Sequence, residues 1–398
     1  MSFPKNFLWG AATSAHQVEG NNHNDWTEWE KLGKVKHGER SGLAVGHYSR
    51  FAEDIAIAKS LGHTAYRFSI EWSRVMPNPG VIDEQEIDHY RQVIAACRAH
   101  GLEPIVTLWH FTNPLWIDAR GGWRSRATVD AFGEYVSVIM QTLGRDITYW
   151  ITINEPTVYS SLSYLVGYWP PEKKDPIAAW IVIRNLLSAH KLAAGIIHRL
   201  NPHAKVGTAN NLSDFVASRP DNILDRTLVP FAKYWHNAWW LDATNETVDF
   251  IGLNYYFHHP LRFKVSGWRN WFAPHHPEDK SISDLGWPIV PDGLGTLLRW
   301  LPRYRRPIIV TENGLADADD HQRGRFITDH VSQIESVIAD GIDVRGYLHW
   351  SLLDNFEWRE GFEPRFGLIA VDYHTFARTP RHSAQTYKNI IQRGTTSG

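Results

Sequence analysis

Eight short apolar segments recur along this chain, and segments with helical periodicity separate most of them. Continuous apolar strands between amphipathic helices are typical of a parallel sheet that is covered by helices. Eight such strands favour closure into a (β/α)8 barrel. The predicted strands cover residues 7–12, 64–70, 103–109, 148–153, 205–209, 248–254, 307–311 and 344–350.

Helical spacing is predicted over residues 84–100, 128–143, 177–200, 294–301, 326–339 and 383–392. A barrel of this kind uses residues 1–398 as one domain and leaves no second domain's worth of chain. A doubly wound sheet fits the same alternation, but the glycine-rich phosphate-binding motifs of that fold do not occur in the sequence. The predicted fold is therefore a single-domain α/β barrel, a TIM barrel.

Charge and cysteine content narrow the class of protein. The 41 Lys and Arg against 43 Asp and Glu give a net charge of −2, which excludes a nucleic-acid binder held by bulk positive charge. The one cysteine, Cys97, allows no internal disulfide. We find no secretory signal and no run of about 18 apolar residues, so we expect no membrane span and a cytoplasmic protein.

Aromatic residues are abundant, with 19 Trp, 15 Tyr and 17 Phe. A buried tryptophan costs free energy unless its N–H finds a hydrogen-bond partner. Flat aromatic faces suit ring-shaped ligands such as sugars or bases. Packing inside a large barrel is the alternative explanation.

Chemistry in such a barrel lies where the strands end. Two glutamates, Glu155 and Glu312, follow the fourth and seventh predicted strands and would face each other across the barrel mouth. Paired carboxyl groups are what the hydrolysis of a glycosidic bond needs. Helix capping or salt bridges at the rim are the alternative roles. The other residues near the strand ends are Gln17, Arg67, Glu71, His110, Asn154, Asn254, Tyr255, Tyr256, Asn313, Trp350, Asp354, Glu357 and Trp358.

The sequence gives little support for a metal site or for a nucleophilic serine. The 21 histidines form no H-E-x-x-H motif, and neither C-x-x-C nor G-x-S-x-G occurs. The adjacent pairs His258–His259 and His275–His276 are expected in loops or at the rim. Asn211 begins an Asn-x-Ser glycosylation triplet, which we expect not to be glycosylated because we find no secretory signal.

At these residues the sequence resembles glycoside hydrolase family 1, the β-glucosidase and β-galactosidase family. The resemblance covers nearly the whole chain, and several long blocks in the right order make it specific. The matching blocks are residues 3–20 (FPKNFLWGAATSAHQVEG), 66–77 (YRFSIEWSRVMP), 152–156 (TINEP), 310–314 (VTENG), 346–358 (GYLHWSLLDNFEW) and 365–380 (RFGLIAVDYHTFARTP).

The resemblance implies a retaining double displacement in which Glu155 is the general acid and base and Glu312 is the nucleophile, with carboxyl groups about 5–5.5 Å apart. It implies that Asn154 holds the substrate 2-hydroxyl, and that Arg67 and Tyr256 hydrogen-bond the nucleophile. No metal or organic cofactor is implied. The remaining substrate-binding residues that it implies are Gln17, His110, Asn254, Trp350, Glu357 and Trp358.

The chain departs from the family pattern near the aglycone site, where the leaving group binds. The excursion after strand five is shortened around residues 211–247, which predicts a more open or reshaped aglycone region. Thr157 stands where many members have a Trp that stacks on a leaving-group sugar. An aromatic platform from Trp268, Trp271 and Phe272 is a substitute, and these side chains are equally suited to anchoring a loop or an oligomer contact.

The resemblance also bears on the substrate. Members that act on 6-phosphorylated sugars replace the residue equivalent to Glu357, so we expect an unphosphorylated glycone, with glucosyl favoured and galactosyl or fucosyl as side activities. The expected ligand is a small β-glycoside or oligosaccharide, with no nucleic-acid or membrane partner. A non-catalytic sugar-binding or partner-binding relative and a transglycosylase on the same site are the competing hypotheses.

Overall fold

Eight parallel strands close into one barrel in the computed structural model, which describes residues 3–266 and 281–396. Each strand pairs with its neighbours in sequence, and β1 closes the barrel against β8. The predicted TIM barrel is confirmed. The strands are β1 (Leu8–Ala12), β2 (Ala65–Ser69), β3 (Glu103–Thr107), β4 (Tyr149–Asn154), β5 (Lys205–Asn211), β6 (Ile251–Asn254), β7 (Ile308–Asn313) and β8 (Val344–Trp350).

A helix follows every strand, including the helices after β1 and β5, which periodicity did not predict. Capping side chains fix several of the starts, since Asp83, Asp175 and Asn222 each accept hydrogen bonds from the first turn. The helices are α1 (His47–Ser60), α2 (Glu84–Ala99), α3 (Ala127–Thr142), α4 (Pro176–Leu200), α5 (Ile223–Ala232, continued by Lys233–Ala238 and Trp239–Thr244), α6 (Pro291–Trp300), α7 (Arg323–Ala339) and α8 (His382–Thr396).

Shorter elements lie in the connections. Two small ribbons pair Asp214–Ala217 with His258–Leu261 and Ile369–Val371 with Arg378–Pro380. The predicted rim residue His258 belongs to the first ribbon, 2.8 Å from Asp214. The short helices are Ala15–Val18, Asp25–Glu30, Lys36–Gly38, Trp72–Val75, Leu115–Asp118, Gly122–Arg124, Gly144–Asp146, Pro156–Ser160, Ser161–Val166, Leu301–Tyr304 and Trp358–Glu360.

Packed side chains fill the barrel interior, so ligands are confined to its mouth. One apolar cluster inside the barrel takes a residue from seven of the strand segments. Gly207 on β5 leaves room there for Phe250, since a Cβ at that position would lie 2.7 Å from the ring. The members of this cluster are Ala65, Ile105, Ile151, Ala209, Phe250, Ile309 and Leu348.

Helix α4 is unusually long and apolar for a barrel helix. Among the helices of residues 3–266 and 281–396, it is the one with the length and composition to cross a membrane. Half of its most apolar stretch is buried in the fold, where α4 packs on α3 and on β4. The rest of its apolar surface faces outward.

Candidate active site

The carboxyl ends of the strands surround a cavity of about 200 Å³ at the barrel mouth. Nine of the eleven predicted site residues line it, whereas Arg67 and Asn254 lie behind its wall. The nine lining residues are Gln17, His110, Asn154, Glu155, Tyr256, Glu312, Trp350, Glu357 and Trp358.

Glu312, on β7, is held by donors from two sides. The fully buried Arg67 guanidinium donates to Glu312 Oε1, and the Tyr256 hydroxyl donates to Oε2 at 2.9 Å. Burial raises the pKa of Glu312, while the charge of Arg67 and the hydroxyl of Tyr256 oppose that rise. Glu312 is therefore the carboxyl group of this site that best keeps a negative charge.

Glu155 directly follows β4 and lies in a different environment. Its backbone has a φ of 43°, a conformation that costs energy for a residue with a side chain. Burial, and then the charge of Glu312, raises the pKa of Glu155 to about 8. The amides of Asn254 and Asn211 donate to Oε1 at 2.7 and 3.2 Å. At neutral pH Glu155 is mainly a neutral acid.

Asn154, the last residue of β4, lies between Arg67 and His110. Its Oδ1 accepts from Arg67 at 2.7 Å, which leaves the Nδ2 group directed to Nε2 of His110 at 3.2 Å. Burial lowers the pKa of His110 well below its ordinary value, so the ring is neutral. Nδ1 of His110 is buried and has no hydrogen-bond partner among the described residues.

The side chain of Gln17 hydrogen-bonds to Glu357 and to the two residues that precede it. The Gln17 amide donates to Asn355 Oδ1 and Phe356 O, both at 3.0 Å, and to Glu357 Oε2 at 3.3 Å. Burial, followed by the charges of Glu312 and Glu155, raises the pKa of Glu357 to about 8. This carboxyl group can therefore accept from a hydroxyl or, when protonated, donate to one.

Aromatic rings complete the inner wall. The His110 ring is stacked on those of Trp350 and Trp358, with centroids 6.0 and 6.1 Å away. Trp350 and Trp358 therefore form one aromatic surface with His110, and all three were predicted to bind substrate. Such a surface suits the apolar C–H face of a sugar ring.

Sequence reasoning missed Asn211 and the outer lining. The fifth strand was predicted to end at Ala209, but β5 continues through Asn211, which places that amide at the mouth. A consistent search of each strand's last residues would have found it. Phe111, expected from the sequence to keep an aromatic wall beside His110, also lines the cavity. The outer lining that was missed consists of Val158, Leu162, Tyr168, Trp169, Phe257, Leu285, Trp287, Arg359, Glu360 and Phe366.

The departures from the family pattern that the sequence analysis described lie beside the outer lining of the cavity. Thr157 is half-buried and precedes the lining residue Val158. The proposed substitute platform of Trp268, Trp271 and Phe272, and the pair His275–His276, lie outside the described residues.

Comparison with known proteins identifies the family. The model of glycosyl hydrolase family 1 matches residues 1–246 and 241–395. The chain belongs to glycosyl hydrolase family 1. It is 30% identical to the β-galactosidase of Pyrococcus woesei, over 98% of this chain and 97% of that protein. The resemblance inferred from the sequence blocks is confirmed, and the protein is a glycoside hydrolase of the β-glucosidase type.

Solved structures of the family agree with the fold. A β-glycosidase from Pyrococcus horikoshii superposes with a TM-score of 0.93 at 38% identity, covering 98% of this chain and 95% of that one. The β-glucosidase of Thermotoga maritima, in complex with glucoimidazole, gives a TM-score of 0.93 at 31% identity and 99% coverage of both chains. The family likeness therefore extends over the whole barrel, including the strand ends that form the cavity.

Proposed function

We propose that this protein hydrolyses terminal β-D-glucosyl residues, with β-D-galactosyl and β-D-fucosyl side activity, by a retaining double displacement. The observation that carries the proposal is the contrast between the two buried carboxyl groups. Glu155 is held as a neutral acid, whereas Glu312 is paired with Arg67. An acid and an anion that face one substrate are what the first displacement requires.

In the first step an oxygen of Glu312 attacks the anomeric carbon as the bond to the leaving group breaks. Glu155 gives its proton to the departing oxygen, which leaves as an alcohol. The product is a glycosyl ester on Glu312, with the anomeric configuration inverted once.

In the second step Glu155 acts as a base. Esterification removes the charge of Glu312, which helped to raise the pKa of Glu155, so the free carboxylate of Glu155 becomes easier to maintain. It takes a proton from water, whose oxygen attacks the anomeric carbon and releases Glu312. The second inversion restores the β configuration.

The charge of the lining favours an unphosphorylated glycone. Glu155, Glu312 and Glu357 all line the cavity, and Arg359 is the one Lys or Arg among its described lining residues. The Arg359 guanidinium lies 4.2 Å above the Tyr168 ring and donates to the Tyr168 carbonyl at 2.9 Å. The buried Glu155 and Glu312, the half-buried Glu357 and one engaged cation make a poor phosphate site.

The outer lining favours an apolar aglycone. Val158, Leu162, Phe257, Leu285 and Trp287 line the cavity around its polar inner part. A second sugar would leave several hydroxyls there without partners, whereas an alkyl or aryl group would bury apolar surface. We therefore favour hydrophobic β-glycosides over disaccharides such as cellobiose.

The test is hydrolysis of aryl β-D-glucoside, galactoside, fucoside and 6-phosphoglucoside, with the first-formed sugar followed by proton NMR. We expect turnover of the unphosphorylated donors and release of the β anomer before mutarotation. Release of the α anomer first would contradict retention, and preference for the phosphorylated donor would contradict the glycone assignment. If a folded protein turns over none of the donors, the proposed hydrolysis is wrong and the sugar-binding hypothesis replaces it.

A further inference from the structure

Exposed aromatic and aliphatic side chains gather on the outer face of helices α4 and α5. All the exposed Trp and Phe side chains of residues 3–266 and 281–396, namely Trp180, Phe231 and Trp235, are found here. Tyr234 is 47% exposed and Ile177 is 72% exposed. We call Ile177, Trp180, Ile181, Phe231, Tyr234 and Trp235 the aromatic patch.

Ring contacts make the patch continuous across the two helices. Trp180 on α4 contacts Trp235 and Trp239 on α5, with centroids 6.3 and 5.3 Å away. Phe231 and Tyr234 each contact Trp235 in turn. The patch is therefore one surface and not a set of isolated apolar residues, which are common on any protein.

The segment Ile223–Ala232 presents an apolar face outward as well as inward. Leu228 and Ala232 are buried against the rim ribbon, while Ile223 and Leu224 are 71% and 47% exposed at the start of the same helix. A helix that needed only to pack on the barrel would place polar residues on that outer face.

The arrangement of the rings fits an apolar environment better than a sugar polymer. The planes of Trp180 and Trp235 are inclined by 78°, and those of Tyr234 and Trp235 also by 78°. A flat platform that stacks on successive sugar rings needs its aromatic rings in one plane, which these two pairs do not provide, and the branched aliphatic side chains of Ile177 and Ile181 have no aromatic face to stack. Tryptophan and tyrosine beside aliphatic side chains are typical of the boundary between lipid headgroups and acyl chains.

Cations flank the patch. Lys173 and Lys174 precede the first turn of α4, and Arg184 lies one turn beyond Trp180 with its guanidinium 5.9 Å from that ring. Arg226 and Lys233 lie on α5 within the same stretch. Within the described chain none of these five cations lies within ion-pair distance of a carboxylate, although burial raises the pKa of Asp118 and the charge of Lys173 acts on that carboxyl group to oppose the rise. The charges of Lys174, Arg184, Arg226 and Lys233 are therefore available to an anionic partner, and that of Lys173 is available in part.

We propose that the aromatic patch and its flanking cations dock this protein on an anionic lipid surface. The apolar side chains would enter the region between headgroups and acyl chains, and the Lys and Arg side chains would bind the phosphates. The docking is peripheral, because the inner face of α4 stays buried in the barrel.

Docking at this face would bring the barrel mouth close to the lipid. Barrel helices run opposite to the strands, so the first turns of α4 and α5 lie at the mouth end. The Ser160 hydroxyl donates to Ala179 O at 2.8 Å, which ties the first turn of α4 to the short helix that follows Glu155. The proposal does not depend on which glycoside is hydrolysed.

Vesicle co-sedimentation of the full chain, without substrate, tests the proposal. We expect the protein to sediment with vesicles of phosphatidylglycerol and phosphatidylcholine at low salt, and much less with phosphatidylcholine alone. The variant Phe231→Ser/Trp235→Ser should lose about tenfold or more of the partition coefficient. The variant Lys173→Glu/Lys174→Glu should lose a similar factor on anionic vesicles only.

Two control variants carry equivalent changes elsewhere. Leu32→Ser/Val81→Ser replaces exposed apolar side chains outside the patch, and Lys59→Glu/Lys205→Glu reverses two charges at the opposite end of the barrel. Both should bind vesicles like the wild type. Vesicle binding that the patch variants keep, or the absence of any binding, would overturn the proposal. A wild-type dimer that becomes a monomer in Phe231→Ser/Trp235→Ser would assign the patch to a second copy of the chain and overturn it equally.

Discussion

The guanidinium of Arg67 donates to the carboxylate of Glu312, although β2 and β7 lie far apart around the barrel. The same guanidinium donates to Asn154 Oδ1 at 2.7 Å and to Thr311 O at 3.2 Å. All of these groups are buried. One cation thus fixes the charge of the nucleophile and the direction of the Asn154 amide at the end of β4, so two functions depend on one residue.

We expect Arg67→Met to lose about a hundredfold or more of kcat/KM, because the nucleophile and the amide of Asn154 both lose the guanidinium that donates to them. Without the cation the pKa of Glu312 rises, so a higher pH is needed to ionise it. The acidic limb of the kcat/KM profile should therefore move to higher pH.

Arg67→Met also leaves Glu312 buried without a counter-charge, so a stability loss of about 3–5 kcal/mol is expected when Glu312 is ionised. Denaturant unfolding measures this cost separately from activity. An acidic limb that does not move in a folded Arg67→Met protein would contradict the role given to this ion pair.

Asn211→Ala should move the basic limb of kcat/KM to higher pH. Burial and the charge of Glu312 place the pKa of Glu155 near 8, and the hydrogen bond from Asn211 acts against that rise. Removing this donor raises the pKa of Glu155 further, so the acid form survives to higher pH. The accompanying loss of kcat/KM at neutral pH should stay below about tenfold, as for one hydrogen bond.

The matched control is Asn210→Ala. Asn210 is the preceding residue on β5, and among the residues that the structure describes its amide donates to the backbone carbonyls of Thr208 and Gly252 and not to Glu155. This variant should lose stability without moving the basic limb. If both variants move the limb alike, the effect comes from strand β5 in general and not from the contact with Glu155.

The strands were predictable from the sequence because continuous apolar runs mark each buried strand. The last residues of β5 were not, because Asn210 and Asn211 are polar although they continue the strand, and this hid the contact between Asn211 and Glu155. Helix α1 was missed because its buried face is carried by few residues, with His47 and Asp54 among them. Their burial depends on Arg378, 324 positions away from Asp54, which no local pattern shows.

The aglycone wall can be tested with n-alkyl β-glucosides, whose leaving groups have nearly equal acidity. Each methylene that is buried against Val158, Leu162 and Trp287 should contribute about 0.8 kcal/mol, or roughly fourfold in kcat/KM. Hexyl β-glucoside should therefore be a far better substrate than methyl β-glucoside. The variant Leu162→Asn should reduce the advantage of the hexyl compound and leave the methyl compound nearly unchanged, whereas a flat dependence on chain length would contradict an apolar aglycone wall.

The nucleophile itself can be replaced by an external anion. In Glu312→Ala the attacking carboxylate is missing, so hydrolysis of an aryl β-glucoside should fall to a trace while Glu155 remains in place. Azide is small enough to occupy the volume that the side chain leaves. The measurement is the rate of this variant with and without azide, together with the configuration of the product by NMR. The account predicts that azide restores turnover and yields the α-glycosyl azide, whereas a β-glycosyl azide, or full hydrolytic activity without azide, would contradict Glu312 as the nucleophile.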